Sequence, residues 1–275
     1  LDVAARLGKK CCWLGTVANN PFGKVVYDRL LKDGIDVSYI KKLDTFCTPP
    51  VFVRYDLDGK REYLTNFGEN SRSLKEEYVY PEVVRNSKWV HFSGEVIHHF
   101  SEGENRKAMM KMLDCVSDDQ MVSLDPNDGY MLDNVEKIIG PFVKRANLIL
   151  PSEGEAKTLA KTKTDDEACR KWASEGKIVA LKRGANGCTI YQADDVVHIG
   201  SFKVDEVDPT GCGDFFCAGF ITGLIEELPL LEVGILANAC GALQATELGP
   251  MEGAKTRDEV DKFIQQNRSN IEIRR

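Results

Sequence analysis

The sequence predicts an α/β fold, a largely parallel sheet with helices on both faces. Three observations predict it. From residue 89 onward, short apolar runs alternate with longer helix-like stretches, the trace that strand–helix–strand units leave in a sequence. The chain has 275 residues and 43% hydrophobic content, enough for one large α/β domain or two small ones. No repeat and no low-complexity linker divides it, so residues 1–275 read as a single domain with one hairpin, 47–68, inserted.

The elements follow in order. Leu1, Val3, Ala4, Leu7 and Gly8 open the chain in a helix-like pattern without a cap, so preceding sequence is expected. Cys11 to Leu14 reads as a strand, and Pro21 to Leu31 as a helix that Gly34 closes. Val51, Val53, Tyr55 and Leu57 alternate with Phe52, Arg54 and Asp56; Asp58-Gly59 follows, then Arg61 to Phe67. That is a hairpin with a tight Asp-Gly turn. It stands apart from the helix–strand alternation and reads as a flap or lid, although an ordinary edge hairpin leaves the same pattern.

Strands are then expected at Trp89 to Phe92, Met121 to Leu124, Leu148 to Leu150, Ile178 to Leu181, Thr189 to Gln192 and Val196 to Ile199. Helices are expected at Glu102 to Val116, Leu132 to Val143, Glu153 to Ala160 and Asp165 to Ser174. Three more follow at Phe215 to Glu226, Leu231 to Glu247 and Arg257 to Asn267.

Composition narrows the function classes. Net charge is −7 with no long Lys/Arg run, which argues against nonspecific nucleic-acid binding. An anionic ligand must therefore be held by local groups. No apolar run approaches the ~20 residues of a membrane span, and nothing reads as a signal peptide. The nine cysteines form no Cys-x-x-Cys pair and read as reduced core thiols, which points to the cytoplasm. The four histidines lack zinc-enzyme spacing.

The chemistry concentrates in Asp208-Pro209-Thr210-Gly211-Cys212-Gly213-Asp214. Gly211 and Gly213 let backbone approach a phosphate, and N–H groups at a helix start favour negative charge. Asp214 beside them is placed to take a proton from an attacking hydroxyl. A cradle with an adjacent base is the minimum equipment for phosphoryl transfer to an alcohol. An ordinary glycine turn with a dipole-complementing Asp would read the same way. Cys212, a thiol among anion-binding N–H groups, is expected to be reactive.

In open α/β sheets, ligands bind outside the carboxyl ends of the strands. Three segments lie there. Asp125-Pro126-Asn127 offers a carboxylate and an amide; Ser152 to Glu155 offers acidic groups for Mg²⁺, directly or through water. Lys182 to Gly187 offers glycines and two cations that could neutralise phosphate. No Gly-Lys pair is followed by Ser or Thr, so a Walker loop is absent, and Phe216 breaks a dinucleotide fingerprint.

With these pieces in this order, the chain resembles the ribokinase-like (PfkB) family of carbohydrate kinases over nearly its whole length. Asp208 to Asp214 looks like the family's Asp-Thr-Gly-Ala-Gly-Asp signature, with Cys212 where alanine is usual. Arg6-Leu7-Gly8, Leu14 to Val17 and Pro21-Phe22-Gly23 resemble its N-terminal portion. Ser152 to Glu155 falls at its Asn-x-x-Glu, with Ser152 for Asn. Lys182 to Gly187 falls at its nucleotide loop and Asn238 to Gly249 at its adenine-side helix and loop. Gly129 stands where many members carry Arg, and Lys182 is a candidate substitute. The family's first strand and Gly-Gly segment precede the point where this chain begins.

The resemblance implies a ribokinase-like three-layer fold with a small β lid. It implies ATP- and Mg²⁺-dependent phosphorylation of a hydroxymethyl group on a small sugar or sugar acid. Asp214 is then the base, and Gly211, Cys212 and Gly213 give backbone N–H groups to the transferred phosphoryl group. Ser152, Lys182, Gly184, Asn186, Gly187 and Asn238 fall on the nucleotide side. Asp125 and Asn127 fall on the substrate side; from the hairpin's own pattern, Arg54, if it faces the pocket, is a partner for a sugar-acid carboxylate. Glu155 helps place Mg²⁺ through water. Asp208, Thr210 and Gly249 are expected to border a monovalent-cation site taking K⁺. A homodimer through the lid occurs in some relatives. Two alternatives stand beside this reading. A nucleoside kinase would use Tyr55, Tyr63 or Phe67 as a platform for the base. A silent sugar- or nucleotide-binding protein is favoured by Ser152 and Gly129 and opposed by Asp214 and its glycines.

Overall fold

A computed structural model of the chain describes residues 1–45, 48, 50–55, 61–65, 74–99, 101–127 and 135–275; the side chains at 55, 61, 63, 65 and 99 fall outside the description. The N-terminal part comprises α1 (Asp2–Arg6), β1 (Gly15–Ala18), α2 (Pro21–Lys32) and β2 (Ile40–Leu43). α2 starts where expected because Asn20 caps it, accepting from the Gly23 N–H at 3.0 Å, with Pro21 in the first turn. The strand expected at Cys11 to Leu14 is displaced. Regular pairing starts at Gly15, opposite Ile40 of the unanticipated β2, and Cys12 makes one isolated bridge to Asp36.

β3 (Val51–Tyr55) and β4 (Arg61–Thr65) pair antiparallel as an isolated hairpin, as expected. The expected Asp58-Gly59 turn, Phe67 and Gly129 lie outside the described residues, as do the Tyr55 and Tyr63 side chains.

The remaining chain alternates as the sequence predicts, with two short helices, α3 and α4, that it did not anticipate. α3 (Pro81–Asn86) leads to β5 (Trp89–Ser93), then α4 (Gly94–His99), α5 (Gly103–Asp114) and β6 (Met121–Asp125). α6 (Val135–Arg145), β7 (Leu148–Ile149), α7 (Glu155–Ala160), α8 (Asp165–Ser174) and β8 (Ile178–Lys182) follow. β9 (Cys188–Gln192) and β10 (Asp195–Ile199) precede α9 (Cys212–Ile225), α10 (Leu230–Ala245), α11 (Arg257–Asn267) and β11 (Ile273–Arg274). Local caps explain the boundaries the sequence places best. Thr164 accepts from the Glu167 N–H at the start of α8, and Thr256 with Glu259 forms a capping box on α11.

One seven-stranded sheet has the order β11-β10-β9-β8-β7-β6-β5. β5 to β8 run parallel, and β9 to β11 add an antiparallel margin. Its faces are divided by the strand period of two. Leu148, Leu150 and Ala180 join one buried cluster with Phe216, Phe220 and Ala237 of α9 and α10. Ile149, Val179 and Leu181 join a second with Met109, Phe142 and Trp172 of α5, α6 and α8. The result is three layers, helices over both faces of a nearly continuous apolar sheet. Because β6, β7 and β8 are parallel neighbours in register, their carboxyl ends meet along one rim.

A charged quartet ties the N-terminal part to the loop after α10. Arg6 pairs with Asp2 at 3.1 Å and Asp33 at 2.8 Å; Arg29 pairs with the same two at 3.1 and 2.6 Å. Arg29 also donates to the Met251 carbonyl and Arg6 to that of Ala254, both at 3.4 Å.

Candidate active site

The rim gathers most of the residues the sequence singled out. Asp125 ends β6 and Lys182 ends β8, and the Lys182 ammonium reaches across β7 to Asp125 Oδ2 at 2.8 Å. Both side chains are about nine-tenths buried (10% and 9% exposed). At such a place a cation's strongest available partner is a carboxylate. The Lys182 pKa is raised accordingly: burial opposes the charge, and Asp125 more than offsets it. The ammonium is thus directed inward at Asp125, with Cys217 Sγ 3.7 Å away, and its charge lies behind the rim.

α9 starts directly above this pair. Gly211, at φ +83°, is its N-cap, and the first intrahelical bond runs from the Phe215 N–H to the Gly211 carbonyl at 2.9 Å. The Gly213 and Asp214 N–H groups therefore precede the helical ladder at a site that favours an anion, the Asp214 N–H meeting its own carboxylate. The Cys212 N–H is differently employed, donating to the Pro209 carbonyl at 3.2 Å. A side chain on Gly213 would lie 3.6 Å from the Lys182 ammonium, so the cradle rests on a buried positive charge. The helix begins three residues earlier than its apolar run because this glycine corner turns Cys212, Gly213 and Asp214 into its first turn.

Asp214 is exposed at the rim. Its pKa is nevertheless raised, first by desolvation against the surrounding protein and then by the charge of Asp125, with Lys182 acting the other way. An exposed carboxylate with raised basicity suits proton abstraction. Asp125 Oδ2 receives Lys182 and the Cys217 thiol, the latter at 3.3 Å. Its Oδ1 is buried and has no hydrogen-bond partner among the described residues. Asn127 follows in left-handed conformation, φ 37°.

β7 contributes through the turn after it. Ser152 bridges to Lys182, and its N–H donates to Glu155 Oε2 at 2.7 Å, which draws that carboxylate to the rim. The Lys182 to Gly187 loop leaves Gly184 and Asn186 exposed, with Gly187 buried. Arg183, the second cation of that loop, is engaged by Glu153 at 2.8 Å and Asp166 at 3.1 Å.

These features agree with an independent finding. The sequence model of the pfkB family carbohydrate kinases matches residues 1–257. The chain belongs to the pfkB family of carbohydrate kinases. A fructokinase of Escherichia coli is 29% identical over 270 residues, covering 94% of this chain and 87% of that protein. A 5-dehydro-2-deoxygluconokinase of Clostridium botulinum is 26% identical over 283 residues, covering 96% and 81%. Among solved structures, an Escherichia coli protein assigned as ribokinase II, in complex with ATP and Mg²⁺, superposes with a TM-score of 0.89. It is 31% identical and covers 97% of this chain and 86% of that one. The fold is ribokinase-like.

Within this pfkB kinase, two expected residues are occupied elsewhere. Arg54 of β3 pairs with Glu62, its cross-strand neighbour in β4, on an exposed face. The antiparallel register puts that acid directly opposite it. Asn238 of α10 is buried, and its amide donates to the Ile199 and Gly200 carbonyls at 3.2 Å each, pinning α10 to the end of β10. Asp208, Thr210 and Gly249 do come together. Asp208 Oδ1 accepts from the Thr210 N–H at 2.9 Å and hydroxyl at 2.6 Å, and Oδ2 from the Gly249 N–H at 3.0 Å.

Sequence reasoning missed Cys217 and Gln244. Cys217 lies one helical turn after Asp214, a spacing that puts both on one side of α9. Gln244 was signalled only as a polar residue within an apolar helix.

Two expectations arise from this pfkB site. A Cβ on Gly211 would fall 2.4 Å from the Pro250 carbonyl oxygen and would carry a positive φ. Gly211→Ala is therefore expected to lose turnover and about 1–3 kcal/mol of stability, read by chemical denaturation. Cys212 is half-buried, as are Cys11 and Cys12 away from the rim, whereas Cys115, Cys169, Cys188, Cys217 and Cys240 are buried. Iodoacetamide is expected to inactivate the kinase, with ATP protecting it, and Cys212→Ala to abolish that sensitivity. Unchanged inactivation of the variant would place the reactive thiol elsewhere.

Proposed function

We propose that this kinase transfers the γ-phosphoryl group of ATP to a hydroxymethyl group of a small sugar or sugar acid. The observation that carries the reading is the exposed Asp214 carboxylate at the glycine-opened start of α9, directly above the buried Asp125–Lys182 pair. The relatives named fructokinase and 5-dehydro-2-deoxygluconokinase support such an acceptor, and the ATP and Mg²⁺ complex supports the donor.

Asp214 takes the proton of the attacking hydroxyl. The Gly213 and Asp214 N–H groups, with Gly211 opening the approach, stabilise charge on the phosphoryl oxygens. Asp125 Oδ1 accepts from a substrate hydroxyl, and Asn127 lies beside it. The residues present fit Mg-ATP. The first turn of α9 offers backbone donors, and Glu155 is an oxygen ligand of the kind Mg²⁺ and its waters prefer. Mg-ATP, when bound, supplies the phosphoryl group and neutralises its charge. Ser152, Gly184, Asn186 and Gly187 border the nucleotide side. Asn238 acts there through α10, and Lys182 through the charge beneath the cradle.

The β3–β4 hairpin serves as the lid of a single kinase domain. Its exposed Val51, Phe52 and Leu64 also suit contact with a second copy in a homodimer. No helix among the described residues is long and apolar enough to cross a membrane, and the reduced cysteines suit a cytoplasmic site of action. The test is ADP release from Mg-ATP over a panel of ketoses, aldoses, sugar acids and nucleosides. Turnover confined to sugars or sugar acids is the expected result; turnover confined to nucleosides would overturn the acceptor class.

A further inference from the structure

Gln244 sits in the last turn of α10 and is fully buried, 0% exposed. Its side-chain nitrogen donates to the Thr210 carbonyl at 2.9 Å and also to the Gly249 carbonyl. Its oxygen accepts from the Gly253 N–H at 2.9 Å, which fixes which end of the amide is nitrogen. The 249–253 loop lies flush on this residue: a Cβ on Gly253 would fall 2.3 Å from the Gln244 Cα. One carboxamide thus joins the loop leading into the α9 cradle to the loop that follows α10.

Those are the two loops expected to border a monovalent cation. Their residues do not fit one here. A K⁺ ion is held by oxygens turned toward it in place of its hydration shell. Here the Thr210 and Gly249 carbonyls each receive an N–H hydrogen from Gln244, whose positive end would face any ion sharing them. The Asp208 carboxylate is likewise engaged by three donors, the Thr210 N–H and hydroxyl and the Gly249 N–H.

We infer that the Gln244 amide takes the place of a monovalent cation in this kinase, bracing the Asp208–Thr210 loop beneath Gly211, so that the enzyme works without K⁺. The inference rests on reading Gly211 to Asp214 as the phosphoryl cradle, but its physical core, a loop clamp made by an amide, has a readout independent of catalysis.

The experiment compares thermal unfolding and turnover of the protein in KCl and in tetramethylammonium chloride at equal ionic strength. An ion bound only by the folded state would raise the unfolding midpoint saturably with its concentration. The midpoints are expected to coincide, and turnover to be equal, in the two salts. Gln244→Ala, which removes the amide and bares both carbonyls, is expected to lose about 10–100-fold in turnover in tetramethylammonium through displacement of the cradle. It is also expected to regain part of both midpoint and turnover in K⁺. A saturable, K⁺-specific rise in the wild-type midpoint would overturn the inference, as would a Gln244→Ala protein fully active in tetramethylammonium. Should that variant not fold, the two wild-type midpoints still decide. A protein with no turnover on any acceptor, yet with coincident midpoints, would count against the kinase reading and leave the clamp standing.

Discussion

Asp214→Asn is expected to lower turnover by about 10²–10⁴-fold while leaving ATP binding intact, because the amide keeps the shape and cannot accept the proton. Calorimetry of ATP binding beside the rate measurement separates the two effects. The same variant is expected to unfold at a higher temperature. The Asp214 pKa is raised in the folded state, so its ionised form at neutral pH is held at a disadvantage relative to the unfolded chain. That disadvantage is present above the folded pKa and is relieved as pH falls through it, or by the neutral Asn. Activity has the opposite sign. The base must be ionised, so kcat/KM falls with falling pH through a limb above the usual Asp range. The groups facing it set the direction of each change. Asp125→Asn, removing a neighbouring negative charge, moves the limb down; Lys182→Met, removing a positive one, moves it up.

Lys182→Met is expected to cost about 3–5 kcal/mol, the cost of leaving one member of a buried ion pair alone. For a chain of this length that is roughly a 10 °C fall in unfolding midpoint. Asp125 Oδ2 would keep only the Cys217 thiol, and Oδ1 already lacks a hydrogen-bond partner among the described residues. The double variant Lys182→Met with Asp125→Asn is expected to recover part of the loss, since no uncompensated charge remains. Equal stability of Lys182→Met and the wild type would show that the pair contributes nothing to the fold. The Lys182 pKa is raised, so its contribution is fully present below the ordinary lysine value and is lost only as pH rises through the folded one. The two stability measurements therefore belong at neutral pH.

Much of this was legible in the sequence, and the limits have physical reasons. Periodicity located β5 to β10 of the main sheet because strands covered on both faces are written as short apolar runs. The expected bounds of α8 and α11 match the structure to the residue, where Thr164 and Thr256 cap their starts. β2 and β11 were missed because Ile40–Leu43 and Ile273–Arg274 are short and carry few apolar residues. The start of α9 was misplaced because Cys212-Gly213-Asp214 reads as a turn and becomes helical only through the corner at Gly211. In the site, residue types after strand ends pointed to Asp125, Glu155 and Lys182, and the strand order brings those ends to one rim. Partner choice was not legible. That Lys182 turns inward, that Arg54 meets Glu62 and that Gln244 clamps two loops depend on contacts made by residues 57, 8 and 34 positions apart.

The most direct test of the central claim, phosphoryl transfer to a hydroxymethyl group with Asp214 as base, is ³¹P and ¹³C NMR of the product. The protein and Asp214→Asn are each incubated with Mg-ATP and the acceptor that the panel selects. The account predicts a phosphate monoester on a CH₂–O carbon, formed at the rate of ADP release and nearly absent with Asp214→Asn. Phosphate on a ring hydroxyl, or an equal rate of monoester formation by the variant, would contradict it.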